Sequence, residues 1–147
     1  MERDSSVRSA LFTTLAGFAS AEAVNALLPL LRSEDAGLRN GAIEALAEMP
    51  EAVAPRVEAL LHDSDADVRI FAVNLLTELR HDKVHSWLRQ VLAQETAVNV
   101  VAAAIEVMTE VGDAQDLPML RALSTRFDND PFVGFAADMA IERIEAA

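Results

Sequence analysis

The chain has 147 residues, of which 52% are apolar and only 5% aromatic, and its formal net charge is −12. It has no cysteine, which excludes disulfides, thiolate catalysis and cysteine-ligated metal centres. The 24 acidic residues outnumber the 12 basic ones, which disfavours binding to nucleic acid or to an anionic membrane surface.

The amino-terminal residues, Met1 to Ser6, are polar and lack the apolar core of a signal peptide. No apolar run approaches the roughly 18 residues of a membrane span. We therefore expect a cytoplasmic protein.

Apolar residues recur along the chain at the 3.6-residue period of an amphipathic helix, without the alternation typical of strands. This pattern predicts an all-α protein of about nine helices joined by short polar turns. In chain order the predicted helices cover about 4–18, 22–32, 35–49, 51–62, 66–80, 82–94, 96–111, 114–127 and 131–147.

The helices repeat in pairs. The stretch from Asp65 to Leu79 has the same layout as the stretch from Asp35 to Met49, and equivalent helix starts follow each other after 31, 30, 32 and 33 residues. A pair that cannot bury its apolar face alone stacks on the next pair and forms a solenoid. We expect a single domain over 1–147, with a half repeat at 4–18 and helix pairs at 22–49, 51–80, 82–111 and 114–147.

The repeated motif, Asp-x-x-Val/Leu-Arg-x-x-Ala-x-x-x-Leu, resembles the HEAT-like repeats, and especially the short type found in phycobilisome lyases. The resemblance implies a right-handed α/α superhelix in which the second helix of each pair lines the concave side. It also implies a ladder of Asp and Arg side chains between neighbouring repeats. The ladder positions are Asp35, Arg39, Asp65 and Arg69, whereas later copies depart from the motif at Ala97, Val101 and Gly134.

The histidines do not predict a catalytic or metal centre. His81 and His85 lie four residues apart, a spacing that can share a metal, but no third ligand stands at a matching spacing. Exposed histidines in turns are the simpler interpretation. Some similar repeat enzymes hold two irons with His-Glu dipeptides, and the chain has none. We expect no cofactor, no metal and no enzymatic activity.

The second helices carry acidic side chains at equivalent positions. Stacked repeats would bring these into a ridge of five carboxylates that fits a basic segment of another protein. The alternative is that glutamate is simply a good helix former at solvent-exposed positions. The ridge consists of Glu44, Glu48, Asn74, Glu78, Glu106 and Glu110.

The last helix is apolar on two sides. Phe132, Phe135 and Met139 lie outside its core stripe, and Ile70 extends this apolar row by one repeat. An exposed apolar face usually marks a contact surface. It would contact a partner, a second copy of the C-terminal helix, or further repeats of a longer chain. Trp87 is at an outward-looking position of its helix. It is either a contact on the convex side or packs flat on its own helix.

Together these features predict a non-catalytic scaffold or adaptor that binds a partner protein on an acidic-to-apolar concave surface. The alternative is an accessory subunit resembling the bilin lyases, supported only by the resemblance of the repeats. A repeat module without a native ligand is a third interpretation.

Overall fold

The structure, a computed structural model, describes residues 21–128 and 130–147. We number its eight α-helices α1 to α8; two 3₁₀ segments accompany them, and the described residues include no strand. The first predicted helix, at 4–18, lies outside the described residues. The α-helices are Ala21–Leu27, Ala36–Ala47, Pro50–Leu61, Ala66–Glu78, Val84–Gln94, Val98–Val111, Leu117–Arg126 and Pro131–Ala146.

The helix starts follow from local chemistry. Asp35, Asp65 and Asp130 cap α2, α4 and α8, and the Asp130 carboxylate accepts the Phe132 N–H at 2.9 Å. Such caps satisfy backbone donors that have no partner within the helix. Pro50 and Pro131 occupy first-turn positions, where a missing N–H costs nothing.

Two predicted helices contain a tighter segment. The helix predicted at 22–32 is α1 followed by a 3₁₀ segment, Leu28–Arg32, and α7 is preceded by the 3₁₀ segment Ala114–Asp116. Pro29 accounts for the first change, because it cannot donate the hydrogen bond that would continue the α-helix.

The chain divides into two compact units, Met1–His81 and Asp82–Ala147. In the described part of the first unit, α1 packs on α3 and α2 packs on α4, so two helix pairs stack in register. In the second unit, α5 contacts α7 and α6 lies against α8. The single domain over 1–147 stays a prediction.

Each unit buries the apolar stripe that the periodicity predicts. The first has Leu27, Leu46 and Leu76 at its centre, and the second has Leu92, Ile105 and Leu120. Trp87 belongs to this second core, since only 2% of it is exposed. The interpretation of Trp87 as a convex contact was therefore wrong: α5 turns its indole into the space between helices.

Candidate functional site

The acidic side chains of the first unit lie on two adjacent helices. Glu44 and Glu48 are exposed on α2, and Asn74 and Glu78 are exposed at the equivalent positions of α4. Ile70, one turn before Asn74, is half-buried. This unit therefore presents three carboxylates and an amide on its second helices.

The second unit carries the other two predicted carboxylates, and they differ in their surroundings. Glu106 and Glu110 are both exposed on α6. The Glu110 carboxylate lies 3.3 Å from the Arg143 guanidinium of α8, which offsets its charge. Glu106 has no ion pair within the described part of the chain. Of these two carboxylates, Glu106 is therefore the one that is open to an incoming cation.

Helix α8 exposes large apolar side chains on the side that faces away from the core. Phe132 is 77% exposed, Phe135 70% and Met139 51%. The opposite side of the same helix is closed, because Val133, Ala137, Ala140 and Ile144 are buried. Helix α8 is therefore apolar on two sides, one buried and one exposed.

A groove of about 600 Å³ lies between α6 and the start of α8. The two alanines of α6 that line it are half-buried, and their small size leaves the space open. Sequence reasoning missed this groove, since alanines at these positions look like ordinary helix formers. The lining residues are Val98, Asn99, Ala102, Ala103, Glu106 and Phe132.

A second polar feature, also missed, is a buried carboxylate in the second unit. Asp116 is fully buried and accepts from the Arg89 Nε at 2.7 Å, the His85 Nε2 at 2.6 Å and the Asp113 N–H at 2.8 Å. Half-buried His85 is thus part of a polar cluster, which corrects its interpretation as an exposed turn histidine. Since Asp113 and Asp116 form a reciprocal capping box, this cluster also starts the 3₁₀ segment before α7.

The electrostatics of this cluster fit a structural role. Burial raises the pKa of Asp116, but the Asp113 N–H and the Arg89 and His85 side chains outweigh it and hold that pKa below its ordinary 3.8. Oxygen and nitrogen atoms of His85, Asp113 and Asp116 lie within 4.8 Å of one another, close enough to share a cation. Arg89 already brings a positive charge to both aspartates and so offsets part of their negative charge.

Comparison with known families decides what kind of repeat this is. A family model for HEAT repeats matches residues 2–57 and 53–142. The chain belongs to the HEAT-repeat family. HEAT repeats generally mediate protein–protein interactions, and the family is generally non-catalytic.

A curated relative gives one further comparison. The chain is 25% identical over 153 aligned positions to "Uncharacterized phycocyanin operon protein Z" of Pseudanabaena tenuis, and the alignment covers 98% of this chain and 75% of the relative. Within the described residues, no helix combines the length and apolar character that crossing a membrane requires.

The motif residues of the HEAT repeats hold the turns in place. Asp35 and Asp65 cap their helices, while Arg39 and Arg69 each donate to a carbonyl oxygen of the preceding turn, at 2.7 and 2.8 Å. The Arg39 guanidinium also lies 4.6 Å from the ring centre of Phe71, in the next repeat. The predicted Asp–Arg ladder itself stays a prediction.

Arginines outside the motif provide observed links between neighbouring HEAT repeats. Arg32 pairs with Asp63, and Arg56 donates to Asn25. In the second unit Arg126 donates to the carbonyl oxygen of Glu95 at 2.9 Å. Each of these pairs is separated by 31 residues, which is one repeat.

Proposed function

We propose that this HEAT-repeat protein is a non-catalytic, cytoplasmic adaptor that captures a partner protein on the exposed faces of its second helices. An apolar anchor would fix the partner, and acidic side chains would steer a basic segment of it. The anchor is Phe132, Phe135 and Met139; the acidic and bordering positions are Glu44, Glu48, Ile70, Asn74, Glu78, Glu106 and Glu110.

The observation that carries this proposal is the exposure of three large apolar side chains on one face of α8. Phe132 and Phe135 lie one helical turn apart and Met139 follows one turn later, so they share one stripe. Contiguous apolar surface of this kind is unfavourable in water and is typical of protein interfaces. Aromatic side chains in particular dominate the binding energy of many interfaces.

The acidic side chains support the second half of the proposal. Glu44, Glu48 and Glu78 are exposed on the first unit and Glu106 on the second, in a chain whose net charge is −12. Exposed charges chiefly accelerate the encounter with a partner of opposite charge, and salt weakens that effect. A partner bound in this way would be retained at low salt and lost at high salt.

A pull-down from the source lysate tests the adaptor function. The wild-type protein is compared with Phe135→Asp at low and at high salt, and circular dichroism checks that the variant keeps its helices. Ala122→Asp is the matched control, because it adds the same charge at an exposed position of α7. We expect one protein to be retained by the wild type and the control at low salt and lost in Phe135→Asp.

Two results would contradict the adaptor function. Phe135→Asp that loses its helicity would show that the ring stabilises the fold. Equal retention by wild type, Phe135→Asp and Ala122→Asp would show that α8 contributes nothing to capture. If no protein is specifically retained, the acidic face is ordinary solvated surface and the interpretation as a module without a ligand gains support.

The second candidate function is that of an accessory subunit resembling the bilin lyases. The relative named for a phycocyanin operon supports it, together with the short type of the repeats. The chain has no cysteine that could form a thioether with a bilin, so it would act by holding the pigment or the antenna protein. A shifted absorbance band on mixing with free bilin favours this role, and an unchanged spectrum counts against it.

A further inference from the structure

We propose that the groove between α6 and α8 accepts one amphipathic helix of a partner, with large apolar residues along one face and arginine or lysine at its borders. This inference rests on the proposed adaptor function and specifies the form and charge of the bound segment. It concerns only the second unit of the chain.

The groove lies between two helices that pack side by side. Phe132, near the start of α8, lines the groove together with residues of the first half of α6, and Arg143, near the end of α8, pairs with Glu110 near the end of α6. Both helices therefore run in the same direction, and the groove lies between α6 and the start of α8. The open space of about 600 Å³ has room for several apolar side chains of a partner.

The small residues of α6 make room for the partner's side chains. Ala102 and Ala103 are half-buried and line the groove, while Phe132 forms its opposite wall. Phe135 and Met139 continue the apolar surface along α8 beyond the groove. A helix with apolar residues at positions i, i+3, i+4 and i+7 would insert one row into the groove and rest another on this stripe.

The pairing of backbone hydrogen bonds favours a helix over an extended segment as the occupant. The walls of the groove are helices, whose backbone groups are already paired within each helix. Asn99 and Glu106 are the polar side chains that line it. An extended peptide would bury amide groups without partners, which is costly, whereas a helix satisfies its own.

The charges around the groove favour a basic occupant. Glu106 borders the groove, while Asp138 and Glu142 follow Phe135 and Met139 by one turn on α8; in the described residues none of these three carboxylates has an ion pair. The arginines of this unit are engaged elsewhere. Their partners are Asp113 and Asp116 for Arg89, Glu145 for Arg121, backbone carbonyl oxygens for Arg126 and Glu110 for Arg143.

This charge distribution also distinguishes between two possible occupants. A second copy would bring the same unpaired carboxylates against themselves, and like charges in close contact are unfavourable. A partner helix with basic residues at its borders would find a carboxylate on each side of the apolar stripe. The charge therefore favours a different, basic protein.

Three fluorescein-labelled synthetic peptides test the inference by anisotropy with the full-length chain at low salt. The first has leucine at i, i+3, i+4 and i+7 with arginine at the bordering positions. The second replaces each arginine by glutamate, and the third has the composition of the first with the leucines scrambled. We expect the first peptide to bind at least about tenfold more tightly than either control. Each control loses more than one favourable ion pair or apolar anchor.

Variants then locate the bound peptide. Ala103→Gln fills the groove without adding charge and should weaken binding about tenfold or more. Arg143→Gln frees the Glu110 carboxylate, which lies one turn after Glu106 on α6, and should tighten binding by about two- to fivefold, the range of an exposed ion pair. Glu58→Gln, which removes an exposed carboxylate of α3 in the other unit, is the matched control and should leave the affinity unchanged.

The outcomes separate this inference from the adaptor function. Equal binding of all three peptides, or wild-type affinity in Ala103→Gln, would overturn the helix-in-groove inference. Capture of a lysate protein that is lost in Phe135→Asp would still support the adaptor function in that case. A dimer in sedimentation that dissociates in Phe135→Asp would show that a second copy occupies the surface and would also overturn the inference.

Discussion

The His85 Nε2 lies 2.6 Å from the Asp116 Oδ2, and the two residues are separated by 31 positions, one repeat of the chain. His85 belongs to α5 and Asp116 precedes α7, so the contact joins the first helices of two neighbouring repeats. Because a carboxylate only accepts hydrogen bonds, the ring nitrogen carries the proton. The link uses the same spacing as the arginine contacts of the first unit.

Replacing the buried carboxylate should weaken the second unit. Asp116→Asn removes the charge that Arg89 and His85 bind and leaves those donors with a weaker acceptor. We expect the free energy of unfolding to fall by about 1.5–3 kcal/mol, the value of hydrogen bonds to charged groups. Chemical denaturation measures it. Glu145→Gln is the control, since it breaks an exposed pair with Arg121 and should cost less than about 1 kcal/mol.

The same carboxylate predicts how stability depends on pH. The pKa of Asp116 is lowered in the folded state from its ordinary 3.8, so the unfolded chain takes up the proton first as the pH falls. The stabilisation is therefore complete above pH 3.8 and is lost as the pH falls through the lower, folded pKa. The difference in unfolding free energy between wild type and Asp116→Asn should shrink over that acidic range. A difference that stays constant down to acid unfolding would exclude Asp116 as the titrating group.

Two glycines of the second unit should respond oppositely to alanine. A Cβ on Gly112 would lie 2.6 Å from the Met108 carbonyl oxygen and 2.9 Å from the Ile144 Cδ1, so α6 and α8 would have to shift. Gly112→Ala should destabilise by about 1–3 kcal/mol, the usual cost of overpacking. At Gly134 the nearest atom would be the Ser124 Oγ at 3.9 Å, so Gly134→Ala should stabilise α8 by about 0.5–1 kcal/mol. Thermal unfolding of both variants tests the pair, and equal effects would contradict it.

The single tryptophan should behave as a core residue. Since Trp87 is 2% exposed, its fluorescence should resist quenching by acrylamide in the native protein and become accessible only on unfolding. Trp87→Ala should cost about 3–5 kcal/mol, as for other buried aromatic residues. If acrylamide quenched the native protein as strongly as free tryptophan, Trp87 would be exposed on the outer surface.

The helix pairs could be predicted from the sequence because their signals are local and repeated. An Asp cap followed by apolar residues at helical spacing locates α2 and α4 to within two residues of their observed ends. The same periodicity distinguished buried Val133 and Ala137 from exposed Phe135 on one helix. The interpretation of Trp87 as a convex contact was wrong, because the inward direction of its side chain depends on where α5 packs against its neighbours.

The rest of the candidate site depends on distances between repeats, which residue spacing alone does not give. His85 and Asp116 look unrelated until α5 and the start of α7 are placed side by side. The Glu110 carboxylate likewise pairs with Arg143 of a different helix, which the sequence does not reveal. Gly112 directly follows the last residue of α6 with a φ of −70°, so close packing against α8 and not a left-handed backbone accounts for the glycine.

The most direct test of the central claim is oxidation footprinting of the methionines with and without the partner captured in the pull-down. Met139 is 51% exposed, whereas Met108 at 0% and Met49 at 2% are buried controls in the same chain. Oxidation of methionine follows exposure. We expect fast oxidation of Met139 in the free protein and strong protection in the complex, with Met108 and Met49 slow in both. Equal oxidation of Met139 in the free and bound protein would contradict the claim that α8 contacts the partner.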